Sequence, residues 1–170
     1  QMCIRDRGTA VKIKNLNDYT RSYIGGSNNV GSFAAKWAGS LGNSLQVTVA
    51  DSATFTAWAD KGNFDRAPGT SASVANAGGS DDELHIVVKD EDGLFTGTAG
   101  TILETFAHVS AASDAKKFDG SNNFYKDVIN SQSRYIWWMH HPTVTGTAWG
   151  SASAGTTFGD LSAALSHSLT

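Results

Sequence analysis

Charge is scarce in this sequence: Asp, Glu, Lys and Arg make up 17% of its 170 residues, against about 25% in an average globular chain. Such a surface offers little electrostatic repulsion against self-association. The formal charge is only -3, and apart from Lys12/Lys14 and Lys116/Lys117 the basic residues are scattered. That pattern gives no footprint for nucleic acid. The single cysteine, Cys3, excludes an internal disulfide and fits folding in a reducing cytoplasm. No stretch of about 18 uncharged apolar residues occurs, so no membrane-spanning helix is expected. The amino-terminal residues 1–7 lack the apolar core and cleavage site of a secretory signal and do not resemble the rest of the chain. They read as a non-native scar and are set aside from the fold.

What is present is enough apolar material for one domain, since a chain of about 150 residues buries roughly 70% of the surface that its unfolded form exposes. Residues 84–89 are a β-rich run stopped by Asp90, Glu91, Asp92 and Gly93, residues that favour a tight turn into a hairpin or short loop. A second strand is predicted over 102–110. Strict alternation there puts Ile102, Glu104, Phe106 and His108 on one face and Leu103, Thr105, Ala107 and Val109 on the other. Ser121 or Asn122 caps a predicted helix over 123–130, in which Phe124 and Val128, or Tyr125 and Ile129, share a face. Residues 135–139 form a bulky aromatic strand. Residues 11–16 are predicted as an opening strand, 17–23 as a short helix capped by Asn17, and 53–60 as a helix capped by Ser52 with Phe55 and Trp58 on one face. Leu161, Ala164, Leu165 and Leu169 stand at helical spacing. The chain stops at that apolar stripe, which points to an internal fragment of a longer gene. Segments 25–29, 67–80 and 146–159, rich in Gly, Ser, Thr, Ala and Asn, read as surface loops and not as linkers. The predicted class is therefore α+β, mainly an antiparallel β-sandwich or sheet flanked by three or four short α-helices, with residues 8–170 as a single module.

Several residue groups invite a chemical reading. His140 and His141 are adjacent, so a strand points them to opposite faces, and no Cys or carboxylate lies at ligand spacing. Residues 90–93 and 119–122 lack the alternating oxygen ligands and terminal Glu of a calcium loop and read as plain turns. Segment 150–155 departs from the G-x-S-x-G elbow because Ser151 stands at the first glycine's place. His108 reads as a rim histidine, not a base. The aromatic strand carries bulk on both faces, with Tyr135, Trp137 and Met139 alternating with Ile136, Trp138 and His140. Either both faces are covered within the chain, or one meets a partner subunit or forms an aromatic platform for sugars, to which Trp37, Trp58 and Trp149 could add. No catalytic, cofactor-binding or metal-binding residue is assigned.

The order of an acidic-turn strand, ILETFAHVSAASDAKK, DGSNNFYKDVIN and SRYIWW resembles the contractile tail sheath proteins of T-even-like myoviruses. The segment FAAKWAGSLGNSLQVTVAD, residues 33–51, is similar to that family's strand, turn and strand, with Ala38 where proline is common and Ser40 where an acid is common. The resemblance implies a β-sandwich module with small helices, lying ahead of a larger subtilisin-like domain. It implies a structural subunit and no enzyme, whose partners are neighbouring sheath subunits in stacked hexameric rings, with tail tube and baseplate reached through other domains. The implied location is the virion tail, after assembly in the host cytoplasm. A carbohydrate-binding or adhesin β-sandwich is the alternative, and a hydrolase is a third possibility that needs a Ser, a His and a carboxylate in one cleft.

Overall fold

The computed structural model describes residues 32–169. The strand expected over 11–16, the helix over 17–23 and the scar over 1–7 lie outside the described residues. The elements run β1 (Phe33–Ala35), α1 (Ser40–Asn43), β2 (Leu45–Ala50), α2 (Ala72–Asn76), β3 (Glu83–Asp90), β4 (Thr101–Ser110), α3 (Tyr125–Gln132), β5 (Ile136–Trp138) and β6 (Leu165–Ser168), with two 3-10 turns at Phe55–Ala57 and Lys61–Asn63.

The sheet is built from its two most apolar segments. LQVTVA and ELHIVVKD pair antiparallel from Leu45↔Asp90 to Ala50↔His85, with β4 on the outer side of β3 and β6 on the outer side of β2. β1 and β5 form a separate antiparallel ribbon. One face of the large sheet presents Leu45, Val47, Val49, Leu84, Ile86 and Val88, which join one core cluster with Phe33, Val128, Ile129, Ile136 and Trp138 from the ribbon and α3. Each such aliphatic side chain contributes about 1.5–3 kcal/mol by leaving water. The opposite face carries a smaller cluster of Ala50, Val87 and Trp58, against which Phe55 and Phe64 pack. Lys89 Nζ meets Asp60 Oδ1 at 2.6 Å and Thr48 Oγ1 donates to Asp60 Oδ2 at 2.6 Å, so the 51–66 excursion is fastened across that face. Cover on both faces explains why Ile86, Val87 and Val88 are consecutive and all fully buried.

The architecture is the expected antiparallel α+β one, with three short α-helices among the described residues. Several local expectations change. In β4 the ladder slips twice, with His85 facing both Ala107 and His108, and with Leu103 inserted between the partners of Lys89 and Val88. The two bulges bring Leu103, Phe106 and Val109 to the same core, although strict alternation separates Phe106 from the other two. The carboxyl-terminal stripe is not a helix: pairing with β2 from Val49↔Leu165 to Gln46↔Ser168 makes it an edge strand. Residues 53–60 form only a 3-10 turn, because the Asp51 carboxylate takes the Thr54 N–H and hydroxyl and tightens the chain. The predicted loop 67–80 holds α2, capped by the Ser71 hydroxyl on the Val74 N–H. The helix predicted over 123–130 begins two residues later, after Asn122 Oδ1 accepts the Phe124 N–H in a turn.

Candidate functional site

The bulge in β4 gathers a group of titratable side chains from three segments. His108 adopts φ 51, a left-handed conformation that His visits more readily than most residues. Its N–H, left without a ladder partner by the bulge, donates to His85 Nδ1 at 3.1 Å. The other ring nitrogen of His85 lies 2.9 Å from the Arg66 carbonyl and donates to it, which fixes the neutral tautomer with its proton on Nε2. Phe64 stacks on the His85 ring with centroids 4.1 Å apart and planes within 5°. Burial holds the His85 pKa below its ordinary value. His108 itself lies between two carboxylates, Nδ1 3.1 Å from Glu83 and Nε2 3.4 Å from Asp65. Glu83 also meets Arg66 at 3.1 Å. Burial alone raises the Glu83 pKa, but the bonds from Arg66, the Gly69 N–H and His108 outweigh it and lower the value. Of this group the sequence pattern singles out only His108. Glu83 and His85 come from the neighbouring strand, and no spacing in the chain announces them.

A second group surrounds the aromatic strand. His140 is exposed and His141 turns inward, but both lie beyond the end of β5 at Trp138, so strand alternation is not what divides them. Trp138 Nε1–H donates to Tyr125 Oη at 3.1 Å, which directs the phenol's own proton to His141 Nδ1, 2.6 Å away. Burial, with the charges of Lys126 and His140, lowers the His141 pKa to about 4. Burial also pushes the Tyr125 phenol well above its ordinary value. Lys126 Nζ sits 4.6 Å from the Trp138 ring centroid, and Lys36 Nζ lies 3.7 Å from that of Trp137 while donating to the Ser133 carbonyl at 2.6 Å.

These groups bind one another. Among the described residues no cluster of three or more His, Cys, Asp and Glu side chains is placed to hold a metal ion. Asp90 accepts from Ser44 Oγ, the Phe95 and Thr96 N–H groups and Thr96 Oγ1, so its turn is tied inward. Asp119 accepts the Ser121 N–H and hydroxyl in an exposed turn. Ser151 Oγ donates to the Ala148 carbonyl, and the Ala154 N–H donates to Asp114. Trp58, Trp138 and Trp149 are buried in the two cores, while Trp37 meets Phe95 edge-on at 6.1 Å. No helix among the described residues is long and apolar enough to cross a membrane.

No protein-family profile matches the sequence. Against curated proteins, the chain is 34% identical over 94 residues to the tail sheath protein of Salmonella phage ViI, a stretch covering 55% of this chain and 13% of that protein. The matched part of this chain is thus similar to a small portion of a much longer phage tail sheath subunit.

Proposed function

We propose that this chain is an internal module of a contractile tail sheath subunit of a T-even-like phage, with a mechanical role and no catalytic one. The 94-residue similarity to a phage tail sheath protein carries the reading. Subunits of such a sheath stack as hexameric rings around the tail tube, and contraction drives the tube through the host envelope. The partners are neighbouring subunits, with the tube and baseplate engaged by other parts of a longer chain, and the location is the virion tail after assembly in the host cytoplasm. Work of that kind comes from rigid bodies moving between two packings of different interface energy. It requires no cofactor. The titratable groups fit this assignment, because His85 spends both ring nitrogens on internal bonds and His141 spends its Nδ1 on Tyr125.

The glycan-binding alternative requires a planar row of exposed aromatic rings. Trp58, Trp138 and Trp149 are only 4%, 9% and 1% exposed, and of the half-buried pair Trp37 meets Phe95 edge-on while Lys36 Nζ lies over Trp137, so no observation favours that reading. The test is to express the full reading frame that contains this chain and image it by negative-stain electron microscopy. Tubes or stacked hexameric rings are expected; a monodisperse monomer whose tryptophan emission is quenched by sugars overturns the proposal.

A further inference from the structure

Among the described residues, the large hydrophobic side chains left exposed are Leu94, Ile102 and Phe118. They lie at the two ends of the four-stranded sheet. Leu94 and Ile102 belong to the end where β3 passes into β4, at the Asp90↔Thr101 pair. Phe118 belongs to the end where β4 leaves the sheet, beyond the Glu83↔Ser110 pair. The ten residues of β4 separate the two ends by roughly 30 Å at the rise of an extended strand.

The Phe118 end is a stiff finger. The Lys117 N–H donates to the Ser121 carbonyl and the Gly120 N–H to the Lys117 carbonyl, both at 2.9 Å. Gly120 takes φ 81, which lets the turn close. Below the turn, the Lys116 N–H donates to Ser73 Oγ at 3.3 Å and the Asn123 N–H to the carbonyl of buried Ala115 at 3.0 Å. Phe118 is fully exposed at the tip. Lys116 and Lys117 precede it and exposed Asp119 follows it, so the tip keeps one net positive charge; neither lysine has a carboxylate within ion-pair distance among the described residues. The opposite end is stiff as well. Ser44 Oγ accepts the Asp92 and Leu94 N–H groups at 3.2 and 3.3 Å, and Asp90 holds the Phe95 and Thr96 N–H groups. Residues 91–101 carry two carboxylates, Glu91 and Asp92, and no cation.

We infer that successive copies of this chain associate head to tail, the Lys116–Lys117–Phe118 finger of one copy seating on the Glu91, Asp92 and Leu94 end of the next. The inference deepens the sheath reading and rests on it for the choice of a second copy as partner. Opposite charges at the two ends steer one end toward the other and penalise like ends meeting. Stiff presentation removes most of the ordering cost of binding. An exposed aromatic ring of this kind is a typical anchor residue. Because the two patches lie at opposite ends of the sheet, an end-on contact uses one end of each copy and leaves the other free, so it is heterologous and propagates into rings or open helical stacks.

Sedimentation velocity of the 170-residue chain over a concentration series at low and high NaCl tests this, with melting curves confirming that each variant is folded. Self-association that weakens with salt is expected, and Phe118→Ala or the pair Lys116→Glu with Lys117→Glu should weaken it by about tenfold or more. Asp92→Lys with Glu91→Lys should do the same alone, and mixing the two charge-reversed variants should restore association, because each supplies the complement the other needs. A wild-type chain that stays monomeric throughout, folded variants that associate like wild type, or a mixture that stays apart overturns the inference. The full reading frame separates this from the sheath proposal: tubes formed equally well by Phe118→Ala refute the contact and leave the sheath reading standing. Absence of tubes from wild type refutes the sheath reading, while sedimentation of the chain itself still decides the contact.

Discussion

His141 should make the stability of this protein depend on pH in a window set by its environment. Its Nδ1 accepts the Tyr125 hydroxyl, and Tyr125 Oη accepts from Trp138 Nε1, so the network needs a neutral ring. Lowering of its pKa from 6.5 to about 4 comes from burial first, then from Lys126 and His140. The unfolded chain takes up this proton as pH falls through about 6.5, and the folded chain does so only near pH 4. The stabilisation is therefore fully present above about pH 6.5 and drains away between there and about pH 4. A shift of this size corresponds to about 3 kcal/mol at most. The ring is partly exposed, and solvent screening reduces the expected effect to about 1–2 kcal/mol. His85 titrates in the same direction, so the diagnostic quantity is the difference between wild type and His141→Asn. The Asn carbonyl can stand in for Nδ1 as acceptor without titrating. Urea unfolding followed by tryptophan fluorescence at several pH values should show His141→Asn within about 1 kcal/mol of wild type near pH 8. On the way to pH 4.5 wild type should then lose about 1–2 kcal/mol relative to His141→Asn, leaving the variant the more stable of the two. Parallel stability curves across that range refute the argument.

Two further substitutions probe the same interior. Gly150 has φ 72, and a Cβ there would overlap the His141 ring at Cε1, so Gly150→Ala should cost about 2–4 kcal/mol from backbone strain and displacement of the imidazole. Thermal unfolding should show a midpoint lowered by roughly 5–12 °C for a chain of this size, and an unchanged midpoint contradicts the packing described. His85→Phe preserves the stack on Phe64 but strands the His108 N–H, at a cost of about 1–3 kcal/mol. Amide exchange at His108 should accelerate more than at Val109, and equal acceleration along β4 shows that the bulge is not held by this ring.

The legible parts of the fold are those where local pattern and tertiary environment agree. β2 and β3 are readable because LQVTVA and ELHIVV stay apolar for strands covered on both faces. The hairpin after Asp90 is readable from its acidic residues and glycine, although it spans residues 91–100 and not a tight turn. β4 is readable as a strand but its faces are not, since the bulge opposite His85 is a cross-strand event that one strand's residues do not encode. The end of the chain misleads for a related reason: Leu161, Leu165 and Leu169 keep helical spacing, yet the open side of β2 offers Leu165–Ser168 a ladder that outweighs helix propensity. Of the titratable group, His108 is visible as a residue but its partners are not, because they lie 23 and 25 positions away. Phe118 is silent in the sequence because a single aromatic inside KKFDG gives no periodic signal; its exposure emerges only once the turn is built.

The buried acids tie distant segments of this architecture into one body. Asp51 accepts the Leu161 N–H and the Thr54 hydroxyl, Asp60 binds Thr48 and Lys89, Asp82 takes the Ser71 N–H and the Ser71 and Ser110 hydroxyls, and Asp90 binds Ser44 and Thr96. In every case the carboxylate joins segments far apart in the chain. Pulling one segment away leaves a buried carboxylate short of donors, a change that costs on the order of 3 kcal/mol or more. The loops at both ends therefore follow the sheet instead of yielding separately. The open side of β4 is interrupted by two bulges and β6 is only four residues long, which deprives foreign strands of a flat edge to join. Under the proposed sheath reading, a body whose ends are tied to its centre and whose edges resist casual pairing would pass displacement from one neighbour to the next. In a stacked assembly of the proposed kind, such a module would meet its neighbours through its stiff exposed ends and not through its sheet edges.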